Sequence, residues 1–306
     1  MPMLNANPPS AYVGRFAPSP SGPLHFGSLV TALGSFLQAR KSQGKWLVRI
    51  EDIDPPREIS GASVHILDTL EQHHLYWDDT PVYQSQRSTL YQNKINDLVT
   101  KGLTFFCHCT RAQLASLAAN NLCSCANKVL PAEGAAVRFK NAAEMVSFYD
   151  LVQQQVDSVV SDTQAQFAIK RKDGLFAYQL AVVVDDIAQG ISEVVRGADL
   201  LHATFYQFAL YKAFGATPPR FAHLPLVLSA NGTKLSKQNH ALAIDGQQVS
   251  LNLFNAMEFL GLMPPASLTK AIPRDMLNWA INAWDLAAVP RKMACNDNRI
   301  KALYSI

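Results

Sequence analysis

Residues 15–28, RFAPSPSGPLHFGS, form a proline- and glycine-rich loop between two ordered patterns, and this arrangement decides the predicted fold. Before the loop, the aromatic and β-branched residues of YVGRFAP predict a buried strand over residues 12–18. After it, apolar residues recur at helical spacing from Ser28, the expected N-cap, to Arg40. The segment KWLVRIEDID, residues 45–54, then predicts a second strand. A strand, a loop, a helix and a strand in this order predict a parallel α/β sheet with a right-handed crossover.

The composition is that of a globular protein without a membrane anchor. The chain has 306 residues, of which 48% are hydrophobic, enough for one large domain with an insertion or for two smaller domains. Its start, MPMLNANPPSAY, lacks the charged and apolar regions of a secretory signal, and apolar runs such as LAVVV are far shorter than the ~20 residues that span a bilayer. We therefore expect a cytoplasmic protein. The formal net charge of +3 permits a polyanionic partner but does not indicate one.

The pattern changes along the rest of the chain. Residues 103–177 contain clustered cysteines and short strand-like segments such as AAVRFK and AQFAIKR, which predict an insertion into the α/β domain. The continuously apolar segment FAYQLAVVVDD, residues 176–186, then predicts a central parallel strand. An amphipathic helix is expected over TFYQFALYKAFG, and residues 241–306 have helical patterning.

Two glycine-containing segments have the chemistry of a phosphate site. In SGPLHFGS, a loop that opens a helix directs backbone N–H groups at an anion, while Gly27 permits close approach and His25 adds a donor. In GTKLSKQ, Lys234 and Lys237 can direct two ammonium groups at one anionic centre. Each segment alone is more often an ordinary turn, because short motifs have many false positives.

Together, the two segments resemble the signatures of class I aminoacyl-tRNA synthetases, usually written HIGH and KMSKS. The segments that resemble the glutamyl subclass are GRFAPSPSGPLHFGS, VRIEDIDPPR, VYQSQRSTLY, YQLAVVVDD and VVRGADLL. The resemblance covers about residues 12–240 and implies a Rossmann-type domain that uses ATP with Mg²⁺. Ser28 replaces the second histidine of HIGH, and Leu235 and Gln238 replace residues of KMSKS without removing a charge.

Residues 241–306 follow the KLSK loop in this sequence, and from this length we expect no anticodon-binding domain like that of a full-length glutamyl enzyme. In this short C-terminal part and in its RGADLL segment, the chain resembles the glutamyl-queuosine tRNA(Asp) synthetases. The resemblance implies activation of L-glutamate with ATP in the absence of tRNA, followed by transfer of glutamate to the queuosine base in the anticodon of tRNA(Asp). The anticodon arm is then the RNA partner, and we expect a monomer. Two alternatives stay open: a shortened glutamyl-tRNA synthetase that charges a 3′ adenosine, and a non-catalytic tRNA-binding paralogue.

A glutamate pocket needs two cations and one anion, because glutamate has two carboxylates and one ammonium. Arg15 and Arg196 are the candidates for the carboxylates, and which arginine takes which carboxylate stays open. Glu51 is the candidate for the ammonium, the alternative being an internal ion pair with Arg196. Ser19 is expected beside Glu51 in this pocket, and the resemblance implies that Ala17 and Tyr178 line it as well.

Formation of an adenylate needs no nucleophile from the protein, because the substrate carboxylate itself attacks the α-phosphate of ATP. Catalysis then consists of positioning and charge stabilisation. The expected catalytic residues are His25, Lys234 and Lys237, and the expected ATP-binding residues are His25, Gly27 and Lys237. Asp185 and Asp186, at the end of the apolar segment, are candidates for orienting the site residues, and Asp199 is an equal candidate.

Four of the five cysteines form two Cys-x-Cys pairs, CHC at 107–109 and CSC at 123–125, and Cys295 is expected to be an isolated structural residue. Four thiolates at this spacing suit a tetrahedral zinc ion, and a disulfide is disfavoured in a reducing cytoplasm. The related synthetases suggest Cys-x-Cys with a tyrosine and a cysteine four residues later, but Asn121 stands at the tyrosine position. Cys123 is its expected substitute, and the identity of the fourth ligand stays open. The predicted zinc ligands are therefore Cys107, Cys109, Cys123 and Cys125.

These features predict a class I synthetase fold: an α/β Rossmann-type parallel sheet with a zinc-bearing insertion, a short C-terminal helical domain and no anticodon-binding domain. The first half of the catalytic domain is expected in residues 1–102, and the second half, with the KLSK loop, in residues 178–240. Residues 103–177 are expected to form an insertion that zinc folds and that contacts RNA. Residues 241–306 are expected to form the helical domain.

Overall fold

The computed structural model describes residues 11–116, 123–140, 146–158, 166–228 and 243–296. Its helices and strands are β1 (Val13–Phe16), α1 (Phe26–Lys41), β2 (Lys45–Ile50), α2 (Ala62–Gln72), β3 (Val82–Tyr83), α3 (Ser88–Thr100), β4 (Thr104–Cys107), α4 (Arg111–Ser116), β5 (Ala136–Lys140), β6 (Val146–Asp150), β7 (Gln154–Ser158), β8 (Gln166–Lys170), α5 (Tyr178–Ala188), β9 (Glu193–Gly197), α6 (Ala203–Phe214), β10 (Arg220–Leu224), β11 (Leu226–Leu228), α7 (Val249–Phe259), α8 (Pro273–Ala283) and β12 (Ala294–Asn296).

The first unit of the fold is the predicted strand, helix and strand. β1 and β2 are parallel, with Val13 beside Lys45 and Phe16 beside Val48, and α1 joins them. β3 pairs in parallel with the other edge of β2. The parallel arrangement that the sequence predicts from residues 12–54 is therefore confirmed.

The N-cap of α1 is His25 rather than the expected Ser28. The helix begins at Phe26, and Nδ1 of the His25 imidazole accepts the backbone N–H of Ser28 at 3.2 Å. An imidazole nitrogen thus takes the position that a serine oxygen takes in the commoner cap. As a result, the histidine is fixed at the opening of the helix.

The second half of the parallel sheet is built from β6, β9 and β10. These strands are parallel to one another, and β7 pairs with β6 in antiparallel orientation at the far edge. β9 lies beside β1, where the backbone N–H of Ser192 donates to the carbonyl of Val13 at 2.9 Å. The C-terminal ends of β1, β2 and β9 therefore face the same side of the sheet.

The segment FAYQLAVVVDD does not form the predicted central strand. It forms the helix α5, in which all residues from Leu180 to Asp186 are buried. α5 packs against α3, α6 and β8, so it is covered on several sides and needs no polar face. A continuously apolar segment of this length fits a buried helix as well as a buried strand, so the sequence pattern did not distinguish them. The strand of the parallel sheet comes after this helix: it is β9, which contains Arg196.

A separate antiparallel sheet is formed by β4, β5 and β8, and it includes the predicted strand segments AAVRFK and AQFAIKR. Cys107 ends β4. The hairpin of β6 and β7 also lies within residues 103–177, but it pairs with β10 of the parallel sheet.

The main hydrophobic core lies between the parallel sheet and the helices α1, α7 and α8. In residues 241–306 the structure describes the helices α7 and α8, as the pattern predicts, but Ala294–Asn296 form the strand β12, which pairs in parallel with β11. In the described residues, no helix has the length and apolarity that a membrane crossing requires.

Candidate active site

A cavity of about 820 Å³ opens at the C-terminal ends of β1, β2 and β9. In an open parallel sheet this edge is the usual place for a ligand. Its walls contain the predicted site residues Ala17, Ser19, His25, Gly27, Glu51 and Tyr178. Arg15 and Arg196 do not line the cavity themselves, since each is only 3% exposed behind its inner wall.

The opening of α1 forms one wall of the cavity. Because Nδ1 of His25 accepts the N–H of Ser28, the neutral ring carries its proton on Nε2, where it can donate to a ligand. A Cβ at Gly27 would lie 3.2 Å from the His25 ring, so this glycine also leaves room for the histidine. A histidine donor beside a helix N-terminus is suited to binding phosphate oxygens.

Lys234 and Lys237 lie outside the described residues, but the chain on both sides of them is placed. Val227 lines the cavity, and Ala243 pairs with His25 in an antiparallel bridge. The N–H of Ile244 donates to the carbonyl of Leu24 at 3.0 Å. The described residues Val227 and Ala243 therefore both lie next to the His25 wall.

A buried network of charges lies behind the cavity. Nε of Arg15 is 3.3 Å and Nη2 of Arg49 is 2.7 Å from Oδ1 of Asp186. Although burial opposes ionisation, the two guanidinium groups hold the pKa of Asp186 below its ordinary value. Asp186 thus orients Arg15, as predicted, although it does so from a helix rather than a strand.

Glu51 is the acidic residue of the inner wall. It directly follows β2, and burial raises the pKa of its carboxyl group to about 7 against the opposing effect of Arg49 and Arg15. Among the described residues, its Oε1 has no hydrogen-bond partner. The two residues of the alternative ion pair, Glu51 and Arg196, do not form a salt bridge in the structure. A buried carboxylate with an unmatched oxygen at a cavity wall is suited to binding a cation.

Arg196, near the end of β9, is held by neutral groups. Its Nε donates to Nε2 of His223 at 3.0 Å, and its Nη2 donates to Oγ1 of Thr204 at 2.8 Å. Its Nη1 lies 3.5 Å from the hydroxyl oxygen of Tyr178, which lines the cavity. In the described part of the chain Arg196 forms no ion pair, so its charge has no carboxylate partner there.

The four predicted zinc ligands converge at one point. Cys107 ends β4, and the turn Ser124–Asn127 carries Cys125. The four sulfur atoms lie within 4.8 Å of one another, with Cys109 Sγ 3.2 Å from Cys123 Sγ and 3.7 Å from Cys125 Sγ. Four thiolates around zinc at about 2.3 Å each would be roughly 3.8 Å apart, so the arrangement fits a tetrahedral ion.

Comparison with known proteins agrees with this geometry. Residues 12–267 match the family described as tRNA synthetases class I (E and Q), catalytic domain. The chain belongs to the class I (E and Q) tRNA synthetases. Proteins named glutamyl-Q tRNA(Asp) synthetase are similar to it: that of Photobacterium profundum is 51% identical, over 92% of this chain and 90% of the relative. That of Vibrio vulnificus is 48% identical, over 92% of this chain and 93% of the relative.

A solved glutamate-tRNA synthetase from Elizabethkingia anophelis has the same fold. It superposes with a TM-score of 0.77 at 24% identity, over 96% of this chain and 69% of the solved chain. The predicted class I synthetase fold, with its α/β parallel sheet, is thereby confirmed.

The residues that support the arginines of this class I synthetase were not predicted from its sequence. Arg49 and His223 each stand inside a strand among apolar neighbours and are fully buried, and such a buried polar residue needs a partner. The segments VRI and AHL show this signal, because in each a polar residue, Arg49 or His223, stands between two apolar ones. Asp150, which contacts His223, had no comparable signal, because it ends β6 directly before a turn, where an aspartate is common.

Proposed function

We infer that this chain activates L-glutamate with ATP and then transfers the glutamate to the queuosine base in the anticodon of tRNA(Asp). The observation that carries the activation step is one cavity with an unmatched buried carboxylate, Glu51, and two buried arginines near its inner wall, beside the phosphate-binding opening of α1. The acceptor follows from relatives named glutamyl-Q tRNA(Asp) synthetase, which are 45–51% identical over more than nine-tenths of the chain.

The amino acid is proposed to bind at the inner end of the cavity. The Glu51 carboxylate accepts the substrate ammonium, and Arg15 and Arg196 bind the two carboxylates, with Ala17, Ser19 and Tyr178 completing the pocket. Both arginines are almost fully buried, while Glu51 and Tyr178 line the cavity and the Tyr178 hydroxyl contacts Arg196. Glutamine in place of glutamate would leave one buried cation without an anion, which disfavours its binding.

ATP is proposed to bind across the opening of α1, with His25 donating to phosphate and Gly27 beside the nucleotide. Lys234 and Lys237 are proposed to stabilise the charge that develops on the phosphates, and the placement of Val227 and Ala243 next to this wall supports that role. Mg²⁺ enters with ATP as part of the substrate and neutralises phosphate charge.

The reaction has two steps. An oxygen of the glutamate α-carboxylate attacks the α-phosphorus of ATP in line, and the bond to pyrophosphate breaks. A hydroxyl of the queuosine cyclopentenediol then attacks the activated carbonyl carbon and loses its proton, and AMP leaves. The protein contributes the distance and orientation between the reacting groups, since no side chain bonds covalently to the substrate.

Zinc is proposed as a structural ion held by Cys107, Cys109, Cys123 and Cys125. The close approach of their sulfur atoms and the softness of a four-thiolate donor set support it. Bound zinc would supply folding energy to the sheet of β4, β5 and β8, which belongs to the insertion proposed to contact RNA. Residues 103–177 are proposed as this insertion between the catalytic halves 1–102 and 178–240, with 241–306 as the helical domain.

We further propose a cytoplasmic monomer whose RNA partner is the anticodon arm.

The acceptor can be tested with radiolabelled glutamate, ATP and tRNA(Asp) that does or does not contain queuosine. We expect label on the queuosine-containing tRNA alone, and this label should persist when the 3′-terminal adenosine has been removed. Transfer that ignores queuosine and needs the 3′ adenosine would identify a shortened glutamyl-tRNA synthetase. Failure of glutamate-dependent ATP–pyrophosphate exchange would instead indicate a non-catalytic tRNA-binding paralogue.

A further inference from the structure

Three buried polar residues from distant parts of the chain meet behind the cavity. Asp150 ends β6, His223 lies in β10 and Arg196 lies in β9. The exposed fraction is 0% for Asp150 and His223 and 3% for Arg196. Burying such groups is unfavourable unless each has a hydrogen-bond partner, so their contacts carry information about their role.

Both carboxylate oxygens of Asp150 have hydrogen-bond partners. Its Oδ1 accepts backbone N–H groups of Val152 at 2.9 Å, Gln153 at 2.8 Å and His223 at 3.1 Å. Its Oδ2 lies 2.6 Å from Nδ1 of the His223 ring. Although burial opposes ionisation, the bond to His223 holds the pKa of Asp150 below its ordinary value. A carboxylate in this position can only accept, so Nδ1 of His223 must carry a proton.

The other nitrogen of His223 is therefore an acceptor. Burial lowers the pKa of the imidazole to about 4 despite the contact with Asp150, so the ring is neutral near pH 7. With the proton on Nδ1, the lone pair on Nε2 receives the Nε–H of Arg196 at 3.0 Å. The direction of each hydrogen bond in the chain from Asp150 to Arg196 is thus determined.

This arrangement differs from that of the other arginines behind the cavity. Arg15 and Arg49 bond directly to the Asp186 carboxylate, which neutralises much of their charge. Arg196 bonds instead to a neutral imidazole and a threonine hydroxyl, which fix its plane and leave its charge available. Its Nη1 is the edge that approaches Tyr178 at the cavity wall.

We propose that Asp150 and His223 are positioning residues for substrate recognition: Asp150 fixes the tautomer of His223, and His223 holds the guanidinium of Arg196 towards a glutamate carboxylate without neutralising it. This inference rests on the proposed function, because it assigns Arg196 to the substrate. It predicts that selectivity for glutamate over glutamine depends on two residues that do not touch the amino acid.

The decisive variant is Asp150→Asn, which is nearly isosteric. Its remaining oxygen can still accept the three backbone N–H groups, while its amide would donate to Nδ1 of His223. The ring proton would then move to Nε2 and face the Nε–H of Arg196. Two N–H donors cannot bond to each other, so Arg196 would lose this hydrogen bond. In glutamate-dependent ATP–pyrophosphate exchange, we expect the KM for glutamate to rise about 10- to 100-fold, the range for losing a hydrogen bond to a charged group. The KM for ATP should stay within about twofold, and discrimination against glutamine should fall.

A second pair of variants keeps the test informative if Asp150→Asn does not fold. His223→Gln keeps an acceptor for Arg196, whereas His223→Leu does not. We therefore expect the glutamate KM to increase from wild type to H223Q and to be highest in H223L. His73→Gln is the matched control: His73 is also a fully buried histidine, but it contacts the Thr69 carbonyl and Asn252. This control should lower thermal stability and leave the glutamate KM unchanged.

An unchanged glutamate KM in folded Asp150→Asn, or equal values in H223Q and H223L, would overturn the proposal. A parallel rise in the KM for glutamate and for ATP would also overturn it, because it would indicate a general structural defect. If the wild-type chain itself shows no glutamate-dependent exchange, the proposed function fails instead, so the two failures can be distinguished.

Discussion

At the scale of single residues, Glu51 is the candidate ligand of the substrate ammonium, and burial changes its acidity. Its carboxyl pKa is raised to about 7 by desolvation, so near neutral pH only part of the free protein holds the carboxylate that an ammonium requires. The arginines around it do not reverse this shift, because Arg15 and Arg49 are engaged with Asp186. The group proposed to recognise the substrate is therefore also one that titrates near physiological pH.

We expect kcat/KM for glutamate to fall as the pH decreases through about 7, by about tenfold per pH unit well below that value. Ionised Glu51 binds the substrate ammonium, whereas the protonated form does not, and the substrate amine stays protonated over this range. The measurement is ATP–pyrophosphate exchange from pH 5.5 to 8.5 at saturating ATP. A profile that stays flat through pH 7 would contradict the assignment of Glu51 to the ammonium.

The same raised pKa means that ionised Glu51 lowers the free energy of unfolding. The folded state binds this proton more tightly than the unfolded chain, so stability is highest below the unfolded pKa and is lost as the pH rises through about 7. Since glutamine resembles the protonated acid, Glu51→Gln should be more stable than the wild type at pH 8, by up to roughly 3 kcal/mol, and similar to it at pH 5.

Urea denaturation at the two pH values measures this difference. Glu71→Gln, an exposed change on α2, is the matched control and should change stability little at either pH. A variant at Glu51 that is less stable than the wild type at pH 8 would be incompatible with a carboxylate that burial destabilises.

At the scale of secondary-structure elements, the sequence predicts those whose local pattern has one interpretation. The strand, helix and strand of residues 12–54 were predictable because their apolar spacing, proline-rich loop and turn residues all agree. α5 was not, since a fully buried helix loses the amphipathic pattern that normally marks it. The N-cap at His25 was also missed, because serine is the commoner cap and the role of the imidazole depends on its rotamer.

The cysteine cluster and the sheet it closes yield a prediction at this scale. We expect the protein to contain about one zinc ion per chain, and Cys123→Ser or a chelator should remove it and disorder the sheet of β4, β5 and β8. The cavity is lined mainly by other elements, so glutamate-dependent exchange should be largely retained while transfer to RNA is lost.

Metal content, measured by atomic emission, tests this expectation together with exchange and transfer assays. Cys295→Ser provides the matched control, since Cys295 lies on β12 outside the cluster and its replacement should leave the zinc content unchanged. Full zinc content in Cys123→Ser would show that the fourth ligand is another residue.

At the scale of the whole molecule, the site depends on contacts between segments that are distant in sequence. Motifs and the family resemblance predict Arg15, Glu51, Tyr178 and Arg196 as site residues. In the structure, Glu51 and Tyr178 line the cavity and the buried Arg196 contacts Tyr178. Their supporting residues were not predictable, because the pairing of Asp150 with His223 depends on β6 lying beside β10. Sequence motifs therefore identify the chemistry of this site, while the topology determines how its charges are held.

The central claim, glutamate transfer to the anticodon rather than to the 3′ end, is tested most directly by locating the product on the RNA. After reaction of queuosine-containing tRNA(Asp) with isotopically heavy glutamate and ATP, the tRNA is digested to nucleosides and analysed by mass spectrometry. We predict that the heavy glutamyl group is found on the queuosine nucleoside and that the 3′-terminal adenosine stays unmodified. Heavy glutamate on the terminal adenosine, with unmodified queuosine, would contradict the account.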